Sequence, residues 1–152
     1  MDRLYLSWED LLLLVRHLAG RLEGQPFDLL LGVARGGLIP TALLAQALGV
    51  RDILTAAVMF YEGEEPLPEP VFLQFPPDPL LRGKRVLVVD DVWDSGRTAF
   101  AVKERIRRAG GRPWVATLHF KPERNRVPDR PDFHAAETGA WVVYPWALEA
   151  WP

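Results

Sequence analysis

Two adjacent carboxylates and a small polar loop stand close together in the middle of the chain. Asp90 and Asp91 follow the apolar residues 86–89, and the loop 94–98 (Asp-Ser-Gly-Arg-Thr) directly precedes a helical pattern. Free N–H groups at a helix N-terminus favour an anion such as phosphate, and Gly96 allows its close approach. Paired aspartates suit sugar hydroxyls or a hydrated Mg²⁺. These residue types together predict a site for a phosphorylated sugar.

A second candidate anion site lies earlier in the chain. Residues 27–33 have the pattern of a buried strand and are followed by Arg35, Gly36 and Gly37, then by a helical pattern over 38–48. The glycines expose backbone N–H groups, and a guanidinium can hold two phosphate oxygens at once. A tight turn that needs glycine for backbone reasons would explain this loop alone equally well. Because the loop 94–98 already predicts one phosphate site, we interpret this loop as a second anion site.

Strand and helix patterns alternate along the chain and predict an α/β fold. Ser7 and Asp10 open a helix over 8–22, the helical pattern over 38–48 is the second, and a third helix follows Thr98 and ends at Gly110. Strand patterns cover 27–33, 52–61, 86–89, 113–120 and 141–144. This order predicts a mainly parallel sheet, whose strands carry ligands at their carboxyl ends.

Composition limits the classes of protein that the chain can represent. Its 152 residues, 49% hydrophobic and 25% charged, predict one globular domain over residues 1–152. A net charge of −2 makes nucleic acid an unlikely partner, and the absence of cysteine excludes disulfides and cysteine-ligated zinc. No apolar run is long enough to span a bilayer, so we expect a cytoplasmic protein without a membrane partner.

The motif around the aspartates resembles a known family. Residues 86–99 (VLVVDDVWDSGRTA) are similar to the motif of type I phosphoribosyltransferases that binds phosphoribosyl pyrophosphate (PRPP). The resemblance implies a mainly parallel central sheet flanked by helices, with a small hood from about residues 121–152 and the N-terminal segment. It also implies a flexible lid over about 62–82, in which residues 71–75 have a strand pattern. The resemblance further implies that the protein uses Mg²⁺ as cofactor and forms a homodimer or homotetramer.

The resemblance assigns roles to both loops. The 5′-phosphate would be bound by Asp94, Ser95, Gly96, Arg97 and Thr98, and the pyrophosphate by Arg35, Gly36 and Gly37. Arg35 would also be catalytic, stabilising the departing pyrophosphate. Asp90 and Asp91 would hold the ribose hydroxyls, and Asp91 would bind the metal. The family often has a cis peptide in the first loop, and Ala34–Arg35 is the candidate bond.

The C-terminal part resembles the bacterial xanthine-guanine branch of this family. Lys121-Pro122 and the segment from Trp141 to Trp146 carry that resemblance. It implies that Lys121 binds the 6-oxo group of a purine, that Trp141 stacks on the ring, and that the Val142 backbone contacts the group at C2. Asp94 would move a proton at N7 of the base.

Two other functions fit the same motifs. The first is a phosphoribosyltransferase acting on another base, such as a pyrimidine. The second is a PRPP- or nucleotide-sensing regulator that binds without turnover. Arg97 stands where many purine enzymes have Gly or Lys, so it either reaches the phosphate or indicates a different substrate. The tryptophans of the tail are expected to pack on the domain or on a partner subunit.

Overall fold

The fold is an α/β sheet, seen in a computed structural model that describes residues 2–61 and 69–152. Its strands are β1 (Arg3–Tyr5), β2 (Leu29–Val33), β3 (Ile53–Tyr61), β4 (Glu69–Gln74), β5 (Arg85–Trp93), β6 (Arg112–Phe120), β7 (Phe133–Glu137) and β8 (Trp141–Val143). The helices are α1 (Trp8–Leu22), α2 (Leu38–Leu48) and α3 (Arg97–Arg108). Short 3₁₀ turns cover Asp78–Leu80, Pro122–Arg124 and Leu148–Ala150.

The main sheet has six strands in the order β4-β3-β2-β5-β6-β7. All its pairs are parallel except β3–β4, which are antiparallel. This confirms the predicted fold class. The predicted strand at 71–75 is β4, so part of the expected lid is regular structure; residues 62–68 of that lid lie outside the described residues.

Two expectations about the strands were wrong. The central strand does not end before the aspartates: β5 includes Asp90 and Asp91 and continues to Trp93. Beyond Val89 it pairs with β6 alone, because its pairing with β2 stops there. The second error is β7, which the pattern analysis missed because its short sequence FHAAE lacks clear alternation.

Helices cover both faces of the sheet, which is why residues 86–89 of the central strand form a continuous apolar run. Val86 and Val88 pack on the side of α3, whereas Leu87 and Val89 pack on the side of α1 and α2. Ser7 caps α1 together with Asp10, as predicted. Within the described residues, no helix is both long and apolar enough to cross a membrane.

The hood is a small second sheet made from two distant parts of the chain. β1 pairs in parallel with β8, with Arg3 opposite Trp141. Arg3 and Glu149 add an ion pair between the same two segments. The hood therefore positions the C-terminal aromatic residues over the carboxyl ends of β5 and β6.

Candidate active site

A cavity of about 710 Å³ lies between the carboxyl ends of the central strands and the hood. Its walls include seven of the residues predicted for the site: Arg35, Gly36, Asp91, Asp94, Lys121, Trp141 and Val142. The remaining walls come from Val92, Tyr144, Trp146, Ala147, Leu148, Glu149 and Trp151. The other predicted residues (Asp90, Gly37 and residues 95–98) do not line this cavity. The structure thus brings the pyrophosphate and base residues together, with residues 95–98 on the adjoining loop.

The two aspartates of β5 form a partly buried acidic pair. Asp90 Oδ1 accepts the Asp91 amide at 2.9 Å, and Asp91 Oδ1 accepts the Val92 amide at 2.8 Å. Burial, with repulsion from Asp91, holds the pKa of Asp90 well above its usual range, and burial also raises the pKa of Asp91. A divalent cation would offset this repulsion. The donor set therefore fits a hydrated Mg²⁺ held by one or two carboxylates together with substrate oxygens.

The loop after β2 packs directly against this pair. Its Ala34–Arg35 peptide is cis, as predicted. A side chain at Gly36 would overlap the Asp91 carboxylate in its present position, so any larger residue there would have to displace that carboxylate. Gly37 differs from the expectation of an exposed N–H, because it is buried and its amide donates to Val33 O at 2.8 Å. Gly37 thus allows close packing on β5 rather than offering a donor to a ligand.

The loop before α3 has the form of an anion site. Gly96 has φ 85°, a conformation that residues with a side chain rarely adopt. Ser95 Oγ accepts the Arg97 amide at 3.3 Å, and the first helical bond of α3 runs from the Phe100 amide to Gly96 O. The amides of Thr98 and Ala99 therefore have no acceptor within the helix. The sequence analysis did not include the Ala99 amide among the possible phosphate donors, although the position of Ala99 in the first turn of the predicted helix indicates a free amide.

Arg97 points away from this loop. Its guanidinium carbon lies 4.3 Å from the centroid of the Phe60 ring at the end of β3. Its buried Nη2 has no hydrogen-bond partner among the residues that the structure describes. The Arg97 side chain therefore links α3 to β3.

Lys121 and Asp94 meet in the part of the cavity next to Trp141. Lys121 is only 4% exposed, and its Nζ lies 5.7 Å from the Trp141 ring centroid and 3.7 Å from Asp94 Oδ2. Arg124 Nε donates to Asp94 Oδ1 at 2.5 Å. The Arg124 partner was not predicted, since an arginine in a polar connection carries no signal of its own.

Tyr144 and Trp146 are cavity residues that sequence reasoning did not assign. Their rings stack with centroids 4.7 Å apart and an interplanar angle of 1°. The Trp151 indole N–H donates to Trp146 O at 3.1 Å. Trp146 packs against the core of its own domain, which was one of the two expectations for the tail tryptophans, whereas Trp151 is 63% exposed. The concentration of tryptophans in the tail was the sequence signal that could have indicated cavity residues there.

Comparisons with known proteins agree with this architecture. The model of the phosphoribosyl transferase domain matches residues 4–150. A xanthine-guanine phosphoribosyltransferase of Gluconobacter oxydans is 35% identical over 142 residues, which covers 92% of this chain and 82% of that protein. A purine phosphoribosyltransferase from Pyrococcus horikoshii Ot3 superposes with a TM-score of 0.85 at 35% identity, over 100% of this chain and 97% of the other.

A second similar structure was solved with a nucleotide. It is a hypothetical protein from Neisseria gonorrhoeae with bound ppGpp, at a TM-score of 0.84 and 26% identity, covering 98% of this chain and 92% of the other. The family match spans nearly the whole chain, and the cavity joins both loops of the motif to the hood. The chain belongs to the phosphoribosyltransferase family.

Proposed function

We propose that this protein transfers the 5-phosphoribosyl group from PRPP to a 6-oxopurine base (guanine, xanthine or hypoxanthine) in purine salvage. The products are the nucleoside 5′-monophosphate and pyrophosphate. One observation carries the proposal: Lys121, Trp141 and Asp94 line the same cavity as Asp91 and Arg35. A base and a phosphorylated ribose would therefore meet in one enclosed space. The names of the similar proteins from Gluconobacter and Pyrococcus support the substrate class.

The reaction exchanges one bond at C1′ of the ribose for another. The bond from C1′ to the pyrophosphate oxygen breaks, and a bond from C1′ to a ring nitrogen of the base forms. The departing pyrophosphate carries negative charge, which Arg35 would stabilise from the loop beside Asp91. The amides of residues 96–99 would hold the 5′-phosphate in place. Such positioning and fixed charges lower the barrier without a covalent intermediate on the protein.

Asp94 would manage the proton that the base must lose. Its Oδ2 lies 3.7 Å from Lys121 Nζ, and its Oδ1 accepts from Arg124, so two cations hold the carboxylate in place. The carboxylate would accept the proton as the new bond forms. Removal of a positioned acid–base group typically costs about 10²–10⁴-fold in rate.

Mg²⁺ is part of this proposal. Asp91 would hold it, with Asp90 beside it; when bound, it would offer a positive charge to the pyrophosphate and a coordination site to the ribose hydroxyl oxygens. The paired carboxyls, with their raised pKa values, are the observation that supports this assignment. The residues of this chain supply its carboxylate ligands, and Gly36 leaves them room to approach the substrate.

Selection of 6-oxopurines would rest on Lys121. An ammonium group donates hydrogen bonds and cannot accept them, so it fits a carbonyl oxygen and disfavours the amino group of adenine. Its 4% exposure means that water would not replace a missing partner easily. Trp141 would stack on the ring irrespective of the base, and the Val142 backbone would contact the group at C2.

The test is release of pyrophosphate with PRPP and Mg²⁺ against guanine, xanthine, hypoxanthine, adenine, uracil and orotate. We expect turnover only with the three 6-oxopurines, with loss of that turnover in Asp94→Asn. Turnover only with uracil or orotate would instead select a pyrimidine enzyme and refute the assignment of Lys121. A cytoplasmic homodimer or homotetramer remains our prediction, and light scattering of the purified protein measures its assembly.

A nucleotide-sensing protein without turnover is the second candidate. The similar structure with bound ppGpp is the observation that favours it. In that case PRPP or a guanine nucleotide would bind, but no pyrophosphate would be released with any base. The same panel, combined with calorimetry of PRPP binding, separates the two functions.

A further inference from the structure

The Tyr144 hydroxyl connects three parts of the protein. It donates to the main-chain oxygen of Asp91 on β5 at 3.1 Å, and it lies 2.8 Å from Nδ1 of His119 on β6. Tyr144 itself directly follows β8 of the hood. Both partners in the side-chain contact are buried, Tyr144 at 4% and His119 at 2% exposure. This junction lies beside the site, and the sequence analysis gave no role to Tyr144 or to His119.

The contact with Asp91 bears on the orientation of its carboxylate. The oxygen that accepts from Tyr144 and the N–H of Val92 belong to one planar peptide group. That Val92 N–H donates to Asp91 Oδ1 at 2.8 Å. The hydrogen bond from Tyr144 to the Asp91 carbonyl oxygen therefore fixes the orientation of this peptide group. The Val92 N–H, on the opposite side of the same group, is then fixed in the direction in which it holds the Asp91 carboxylate. Beyond Val89, β2 no longer pairs with β5, so this part of the strand has fewer other restraints.

We infer that Tyr144 is a positioning residue, whose hydroxyl orients the Asp91–Val92 peptide and so holds the Asp91 carboxylate ready for the phosphoribosyl substrate. This inference rests on the proposed function, because it uses Asp91 as a ligand of the ribose and its metal. Groups that orient a ligating carboxylate affect binding even though they do not touch the bound group.

The same geometry assigns the tautomer of His119. A tyrosine hydroxyl has one proton, and the Asp91 carbonyl oxygen can only accept it. The contact between Tyr144 and His119 is then a hydrogen bond only if Nδ1 carries the proton and donates it. Burial, with the nearby charge of Lys121, lowers the pKa of His119 to about 4, so the ring is neutral near pH 7. His119 is therefore the Nδ1–H tautomer, and it supports the hydroxyl from the side opposite Asp91.

The first test is calorimetry of PRPP binding in the presence of Mg²⁺. Tyr144→Phe keeps the ring that stacks on Trp146 but leaves two buried groups without their partner. We expect PRPP affinity to fall about 10- to 100-fold, with the KM for guanine changed less than about threefold. Tyr5→Phe, the same change at an exposed tyrosine of the hood, is the matched control and should bind PRPP like the wild type. Unchanged PRPP affinity in Tyr144→Phe, or equal losses for PRPP and guanine, would overturn the inference.

Two measurements keep the test independent of that variant's folding. ¹⁵N NMR of histidine-labelled wild-type protein should show His119 protonated at Nδ1; protonation at Nε2 would contradict the assignment. His119→Asn can keep a donor near the Nδ1 position, whereas His119→Leu cannot, so only the leucine variant should weaken PRPP binding. Equal affinities in the two variants would also overturn the role of this junction.

These results can be told apart from a failure of the proposed function. If the wild type turns over no purine, the transferase assignment fails. Weaker PRPP binding by Tyr144→Phe would still support the positioning role in that case, because the calorimetric measurement requires no turnover.

Discussion

Replacing Gly36 with alanine should damage the site while leaving the fold intact. The new Cβ would stand 2.5 Å from the Asp91 carboxyl carbon, where ordinary contacts begin at 3.4 Å. The carboxylate, which is the more mobile of the two groups, must therefore move by about 1 Å. A displacement of this size in a reacting group can cost about 10²-fold in rate. We expect kcat/KM for PRPP to fall by about that factor, with thermal unfolding changed by only a few degrees.

The control is Gly20→Ala in α1, where the added Cβ meets nothing within 4 Å. Alanine favours a helix over glycine by about 1 kcal/mol, so this variant should be as active as the wild type and slightly more stable. Both variants would be compared by pyrophosphate release at varied PRPP and by thermal melting. Full activity of Gly36→Ala would refute the claim that this glycine is required by the Asp91 carboxylate. Complete unfolding would show that the loop has a structural role beyond the site.

Three further predictions concern the base end of the cavity and its neighbours. Asp94→Asn should lower kcat with guanine by about 10²–10⁴-fold in steady-state assays; a smaller loss than tenfold would exclude Asp94 as the proton acceptor. Lys121→Met removes the charged donor proposed for the 6-oxo group and should lower kcat/KM for guanine about 10- to 150-fold. Unchanged discrimination between guanine and adenine would refute this role of Lys121. His119 has a folded pKa of about 4 against an ordinary 6.5, so the unfolded state binds its proton first as the pH falls. Through His119 the wild type should then lose about 3 kcal/mol of unfolding free energy between pH 6.5 and 4. Denaturant titrations of His119→Asn, whose side chain does not titrate, should show a shallower loss of unfolding free energy over the same pH range.

The parts that the sequence predicted well are those with local signals. The Asp90–Asp91 pair and the positions of the glycine loops lie within short motifs of specific composition, and the cis bond at Ala34–Arg35 was expected from the family resemblance that those motifs carry. The parallel sheet followed from apolar runs between helical patterns. Each of these features depends on neighbours within a few residues, which is the information that a pattern contains.

The features that were missed depend on residues distant in the sequence. β7 forms because β6 offers it an edge, and Asp91 lies within β5 because β6 continues beside it. The contact from Tyr144 to Asp91 joins positions 53 residues apart, and the pair of Arg124 with Asp94 spans 30. The direction of Arg97 is set by Phe60 on another strand. None of these residues has a distinctive neighbourhood of its own, so only the tertiary structure reveals them.

The pairing of β1 with β8 has a consequence for how the protein is made. During synthesis β1 emerges early, but its partner strand appears only after almost all of the described chain has been produced. The main sheet can form before that point, whereas the hood wall of the cavity cannot. The proposed base-binding end is thus expected to be completed on the ribosome only after the main sheet. A nascent chain stalled before residue 141 would hold the PRPP loops without a closed pocket for the base.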